Sequence, residues 1–226
     1  AAPGTMVLGS DSHTRYGALG TMAVGEGGPE LAKQLLKNTW DVKYPKVVLV
    51  YLTGTPKKGI GPHDVAIALV KATFESGFVN NCVLEFAGPG IANLPIDFRN
   101  GVDVMTTETT CLSSIWETDE VVAKHYAVHG RPECYKELKP QGVAYYDSMI
   151  EIDLSKMESM IALPFHPSNA YTIKEFLANA KEILTKVEAE AKVKFPKCNL
   201  DLVSKVQADG SVLADQGIIA GCAGGM

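Results

Sequence analysis

Lys46-Val47-Val48-Leu49-Val50-Tyr51-Leu52-Thr53 is a run of branched and apolar side chains entered from the breaker Lys43-Tyr44-Pro45, and it reads as a strand. Upstream, Glu30 to Trp40 carries Leu31, Leu35 and Leu36 at helical spacing. Downstream, Pro62 to Gly77 reads as a helix with proline in its first turn. Val65, Ala68, Leu69 and Ala72 lie on one face of it and Ile67, Val70 and Phe74 beside them, so cover on both sides is expected. Cys82 to Phe86 is then a short strand closed by Gly88-Pro89-Gly90. Helices alternating with strands predict an α/β layered architecture.

The alternation continues to the end of the chain. Asp119 to Gly130 reads as a weaker helix and Met149 to Leu154 as a strand, while Met160 to Phe165 is a second apolar run interrupted by Pro164 and Pro167. Thr172 to Lys192 is the clearest helix. It opens on a Thr172-x-x-Glu175 capping box and keeps Ile173, Phe176, Leu177, Ala180, Ile183, Leu184 and Val187 on one stripe. Asn199 to Val206 and Gly217 to Ala220 are expected to be strands. The stretches Leu138 to Gly142 and Pro164 to Asn169 are the nearest things to linkers.

Composition narrows the function. A chain of 226 residues with 46% hydrophobic content can build a sizeable core. A formal net charge of −5 with no basic stripe argues against nucleic acid or an anionic membrane surface as partner. No apolar run reaches membrane-spanning length and no secretory signal is evident, so a cytoplasmic setting is expected. The five cysteines, Cys82, Cys111, Cys134, Cys198 and Cys222, are widely spaced, and disulfides are not expected. There is no CxxC pair, so any metal cluster needs ligands from elsewhere. The chain starts at Ala1 and stops just after Gly224-Gly225, and an internal fragment is expected.

Two segments could carry chemistry. In Gly9-Ser10-Asp11-Ser12-His13-Thr14 an acid, a hydroxyl and an imidazole follow one another as the chain leaves the strand-like Thr5 to Leu8. Successive side chains leaving a strand alternate faces, so some of these must face a cleft or solvent. A carboxylate beside an imidazole suits the ring to proton transfer, whereas the plainer reading is an Asx or Ser/Thr turn in which Asp11 and Ser12 cap backbone amides. The second segment, Asp103 to Trp116, is rich in hydroxyls and reads as a polar pocket wall. Glu108 stands there among six Thr and Ser residues that could hydrogen-bond it and could orient an imidazole, or it is simply an exposed glutamate.

The first segment resembles the Gly-Thr-Asp-Ser-His-Thr segment of the aconitase superfamily, iron–sulfur hydro-lyases that dehydrate and rehydrate hydroxy acids. Glu85-Phe86-Ala87-Gly88-Pro89-Gly90 is similar to the Glu-x-x-Gly-Pro-Gly turn of the same family. Tyr146-Asp147, Ile150 to Ser155 and Pro164-Phe165 follow in the family's order, so the similarity runs through nearly the whole chain. The resemblance implies three-layer αβα domains with mixed sheets: residues 1–45 end a first domain, 46–158 form a second and 159–226 begin a third.

It also implies roles. Asp11 and His13 would assist proton transfer to the leaving hydroxyl, Glu108 would orient His13, and Ser12 would contact a small hydroxycarboxylic acid substrate. Cys222 would be one of three cysteines holding a [4Fe–4S] cluster in the intact enzyme, the other two lying beyond Met226 with the substrate-binding arginines and the serine base. The fragment alone, whose partners are the remaining domains of the same polypeptide, should then be inactive and hold no stable cluster. A divergent hydratase branch is expected, since two departures argue against citrate or isocitrate as the substrate, and a third, around Cys222, is the feature that suggests a cluster-free scaffold. Val104 and Tyr16 stand where the family has Asn, and Gly221-Cys222-Ala223-Gly224-Gly225 stands where it has Ser-Cys-Thr-Asn-Ser. A cluster-free scaffold with a binding or regulatory role is the alternative.

The other histidines carry less. His63 belongs to a helix's first turn, His125 and His129 at i, i+4 read as solvated surface groups, and His166 as a loop residue. Gly25-Glu26-Gly27-Gly28 lacks the full fingerprint of a phosphate loop.

Overall fold

The computed structural model describes residues 1–221. Its centre is a four-stranded sheet of β3 (Val47–Thr53), β4 (Val83–Ala87), β5 (Ser113–Trp116) and β6 (Ser148–Asp153), all parallel, in the order β5-β4-β3-β6. Helix α2 (Pro62–Thr73) joins β3 to β4 and helix α3 (Ile96–Met105) joins β4 to β5. The chain then crosses to the other edge of the sheet through α4 (Glu120–Val128) and an extended stretch before pairing β6 with β3. The strand order reverses beside β3, as it does in doubly wound sheets.

Alternation along the strands decides what is buried. Val48, Val50, Leu52, Leu84, Phe86 and Trp116 point to one face, where they pack with Val65 and Leu69 of α2 and Val102 of α3. Removing each such side chain from water contributes about 1.5–3 kcal/mol, so this face holds the sheet and its helices together. Phe86 and Trp116 stack with ring centroids 4.2 Å apart. The opposite row, Leu49, Glu85, Ile115 and Met149, remains half-buried or exposed, and near Glu85 and Ile115 the segment 138–146 crosses it.

Smaller units flank this sheet. A parallel pair, β1 (Met6–Gly9) and β2 (Met22–Gly25), precedes it and is followed by α1 (Gly28–Leu35), whose Leu35 is exposed. After it, the antiparallel pair β7 (Met160–Ala162) and β8 (Ala170–Thr172) leads into α5 (Ile173–Lys194), and Phe176, Ala180, Ile183 and Leu184 of that helix build a second core. Thr172 caps α5 by accepting from the Glu175 N–H at 3.0 Å. The expected cover on both sides of α2 is present: β7 and β8 contact it, and Asp64 accepts a 2.7 Å hydrogen bond from the Met160 N–H. No helix among the described residues is long and apolar enough to cross a membrane.

Two expected strands are absent. Within 199–206 only Val206 pairs, in an isolated bridge to Val212, and Val203–Lys205 is a 3-10 turn. Leu202, Val203 and Val206 spend their apolar surface against α5 instead of in a ladder. Gly217 to Ala220 has no strand structure, and Ile218 and Ile219 are exposed. Cys222 lies outside the described residues.

Candidate functional site

The segment after β1 folds as a tight turn. The Thr14 N–H and hydroxyl both donate to the Asp11 carbonyl, at 3.0 and 2.6 Å, and Asp11 Oδ1 accepts the His13 N–H at 2.6 Å. The plainer reading, an Asx turn, is present, and that turn sets the position of the imidazole. The turn lies directly over the register partners Gly9 and Gly25. A Cβ on Gly9 would overlap the Thr14 side chain, and one on Gly25 would overlap the Asp11 carbonyl oxygen.

Glu108 arrives from the far side. It sits in the 3-10 turn Thr106–Thr109 that ends α3, and its Oε1 lies 3.2 Å from His13 Nε2. Both side chains are about a quarter exposed, 24% and 27%. On the other ring nitrogen, Nδ1, stand Ser12 Oγ at 3.3 Å and Asp11 Oδ1 at 3.5 Å. A neutral imidazole that donates to Glu108 has its proton on Nε2 and leaves Nδ1 free to accept one. Three of the expected residues thus meet around His13. Asp11 is the most open of them, with 71% of its side chain exposed.

The hydroxyls around Glu108 behave differently from expectation. Thr106 donates to the Asp103 carbonyl at 2.7 Å, Thr107 to the Ser12 carbonyl at 2.8 Å, Thr109 to the Thr106 carbonyl at 2.7 Å and Ser113 to the Ala23 carbonyl at 2.8 Å. Backbone carbonyls in a tight turn compete successfully for these short side chains, and His13 is the side chain that Glu108 engages.

His13 lines a cleft of about 830 Å³ bounded by the first turns of α2 and α3, with Tyr16, His63, Asp97, Phe98 and Val104 among its walls. Glu108 is not in that lining, so the carboxylate backs the imidazole and the imidazole faces the cleft. A hollow of about 880 Å³ lies at the other end of the sheet, between residues 39–46 and Phe78, but it brings no imidazole to its walls. The cleft is therefore the better candidate for acid–base chemistry.

Sequence reasoning missed Arg15, Asp103 and the placement of His63. Arg15 is 9% exposed and Asp103 1% exposed. Burial pushes the Asp103 carboxyl up, against hydrogen bonds from Ser114, Trp116 and the Ala18 N–H and the charge of Arg15. Arg15 directly follows the motif, and a lone charge there reads as surface; no periodicity marks it as buried. His63 does sit in a first turn, yet that turn opens onto the cleft.

The described residues do not supply a metal-ligand set. No group of three or more His, Cys, Asp and Glu side chains is placed to hold an ion among them. Cys82 and Cys111 are buried, and burial pushes both thiols up, away from the thiolate form that binds metal. The His125 and His129 rings lie tilted with centroids 4.3 Å apart, and burial followed by the neighbouring ring lowers His125.

Comparison with known proteins identifies the family. The model of the aconitase family (aconitate hydratase) matches residues 1–226. A 3-isopropylmalate dehydratase large subunit of Acetivibrio thermocellus is 33% identical over 172 residues, which is 76% of this chain and 41% of that protein. A 2,3-dimethylmalate dehydratase large subunit of Eubacterium barkeri is 31% identical over 173 residues, 76% of this chain and 41% of that protein. An aconitase-ribosomal protein bL21m fusion protein of Schizosaccharomyces pombe is 31% identical over 188 residues, covering 78% and 20%. The chain thus spans well under half the length of the relatives it matches. With its α/β fold and a family match over its full length, the chain belongs to the aconitase family.

Proposed function

We propose that the intact protein is a hydro-lyase of the aconitase type, a soluble cytoplasmic enzyme that dehydrates and rehydrates a small hydroxycarboxylic acid. The contact between His13 Nε2 and Glu108 Oε1 carries this reading, because it joins residues 95 apart in sequence into one acid–base unit. Glu108 holds the proton on Nε2 and balances the charge of the ring when Nδ1 also takes a proton. In dehydration a base in another domain takes the proton from the carbon beside the hydroxyl-bearing one, the electron pair of that C–H bond becomes the double bond as the C–O bond breaks, and the charged ring gives its proton to the departing hydroxyl, which leaves as water. In rehydration the neutral ring accepts a proton from the incoming water as its oxygen bonds to carbon, and the base returns its proton to the neighbouring carbon. Asp11 stabilises the charged ring from its open side, and Ser12 contacts substrate beside it.

The remainder of the machinery is proposed to lie in other domains of the same polypeptide, so this chain alone is inactive. Residues 1–45, 46–158 and 159–226 are assigned to three successive domains; the separate core under α5 supports the last of these boundaries, while Ala18 packs into the core under β3–β6. A [4Fe–4S] cluster is proposed for the intact enzyme with Cys222 as one ligand, on the family resemblance alone.

The test is the iron and sulfide content and visible spectrum of the full-length protein purified without oxygen, beside Cys222→Ser, followed by a screen of hydroxy acids with His13→Gln as control. A cluster lost in Cys222→Ser and a hydration activity lost in His13→Gln are expected. A colourless, iron-free protein inert toward hydroxy acids would replace this reading with a cluster-free scaffold.

A further inference from the structure

We propose that Arg15 is the positioning residue of this site: its buried guanidinium clamps the turn that carries His13 to the turn that carries Glu108. The proposal rests on the reading of His13 and Glu108 as one acid–base unit. That contact is a single hydrogen bond between two partly exposed side chains, and besides it, among the described residues, only one exposed bond, from the Thr107 hydroxyl to the Ser12 carbonyl at 2.8 Å, links the two turns directly. Something firmer must fix the separation.

Arg15 supplies four bonds directed to both sides. Its Nη1 donates to the Thr14 carbonyl at 3.2 Å and to the Ala23 carbonyl at 3.4 Å, which fastens the His13 turn to β2. Its Nε donates to Thr106 Oγ1 at 3.3 Å and its Nη2 to the Cys111 carbonyl at 3.2 Å. Thr106 and Cys111 bracket Glu108. A planar fork with donors on three nitrogens can meet acceptors in these separate directions at once, and a lysine ammonium cannot.

Asp103 is buried in the same core. Asp103 accepts from Trp116 Nε1–H at 2.8 Å and from the Ala18 N–H at 3.2 Å. The close approach of that backbone depends on Gly17, where a Cβ would come within 2.5 Å of the Ser114 carbonyl oxygen and 2.7 Å of Asp103 Oδ1. The frame of Arg15, Asp103 and Gly17 is thus built into the core directly beneath the site.

The experiment reads which His13 nitrogen carries the proton, from ring ¹⁵N shifts of the intact protein labelled at histidine, with His13 assigned by its loss in His13→Gln. The native protein is expected to show the Nε2–H form, and Glu108→Ala a mixture of tautomers. Arg15→Lys should reproduce that mixture while thermal unfolding stays cooperative, and should lower kcat about tenfold with KM within twofold. Thr106→Val, which removes one acceptor without changing shape, should move the same way by less. Native tautomers in both Arg15→Lys and Thr106→Val would overturn the proposal, as would failure of both to fold, which would make Arg15 a core residue alone. Should Glu108→Ala itself leave the tautomer unchanged, the acid–base pairing fails and Arg15 loses its role with it.

Discussion

His13 Nε2 and Glu108 Oε1 stand 3.2 Å apart, the imidazole on the wall of a cleft and the carboxylate behind it. The carboxylate contributes most when the ring is charged, so its effect belongs to the step in which the proton moves. Glu108→Gln keeps the shape and removes the charge. In the intact protein it should lower kcat by about 10²-fold with KM within threefold, measured in steady state on whichever hydroxy acid is turned over. A rise in KM with kcat unchanged would place Glu108 in substrate binding instead.

The turn over Gly9 and Gly25 predicts an asymmetry between two alanine substitutions. At Gly25 a Cβ would collide with backbone, the Asp11 carbonyl oxygen, and at Gly9 with the side chain of Thr14. Backbone must shift as a unit at Gly25, whereas rotation of Thr14 removes its Oγ1 and methyl from the Gly9 overlap at the loss of its bond to the Asp11 carbonyl, and only the Thr14 Cβ contact at 2.9 Å is left for a small backbone shift. Gly25→Ala should therefore cost about 3 kcal/mol and Gly9→Ala about 1 kcal/mol in urea unfolding. Equal costs would mean that the turn opens in both variants.

The sequence made some of this legible and hid the rest for physical reasons. The strand over Val47–Thr53 and the capped helix α5 are visible because their apolar residues follow one period and their boundaries carry breaker or cap residues. Helix α3 is hidden because its inward face carries Arg99 and Asp103, 0% and 1% exposed, where periodicity looks for apolar groups. The motif Asp11 to His13 was visible as three side chains, but its pairing with Glu108 came from family resemblance. The hydroxyls near Glu108 misled, since composition cannot say whether a threonine serves a carboxylate or its own backbone.

Arg99 itself leads to a prediction. Its guanidinium is fully buried and meets Asp119 in two bonds of 2.9 and 2.7 Å, while Asp119 also caps α4 through the Val121 and Val122 N–H groups. Burial pushes the Asp119 carboxyl up, but Arg99 and the two backbone donors outweigh it and hold it below the usual carboxylate range. Asp119→Ala leaves a buried charge without its partner and should destabilise by about 3–5 kcal/mol at pH 7. Because the folded value is depressed, the native advantage is present above about pH 3.9, the ordinary aspartate value, and is lost as pH falls through the lower folded value. Denaturant midpoints from pH 7 down to acid should show the native and variant curves converging only at that end.

Glu117 predicts the opposite pH dependence. It shares a hollow with Glu85, whose Oε1 accepts the Tyr146 hydroxyl at 2.7 Å. Burial, and then the like charge of Glu85 and more weakly that of Asp119, raise the Glu117 carboxyl, against the Gly88 N–H and the charge of Lys139. A raised folded value means that the folded state binds the proton more tightly than the unfolded chain. Stability from this group is present below about pH 4.3, the ordinary glutamate value, and is lost as pH rises through the higher folded value. Glu117→Gln removes that loss, so it should raise Tm at pH 7 by about 1–3 °C, the small size reflecting solvent screening of a half-buried group. Near pH 4 the two proteins should melt together. A variant less stable than the native protein at pH 7 would mean that Lys139 outweighs burial and Glu85, and that Glu117 is held as a partner rather than tolerated as a buried charge.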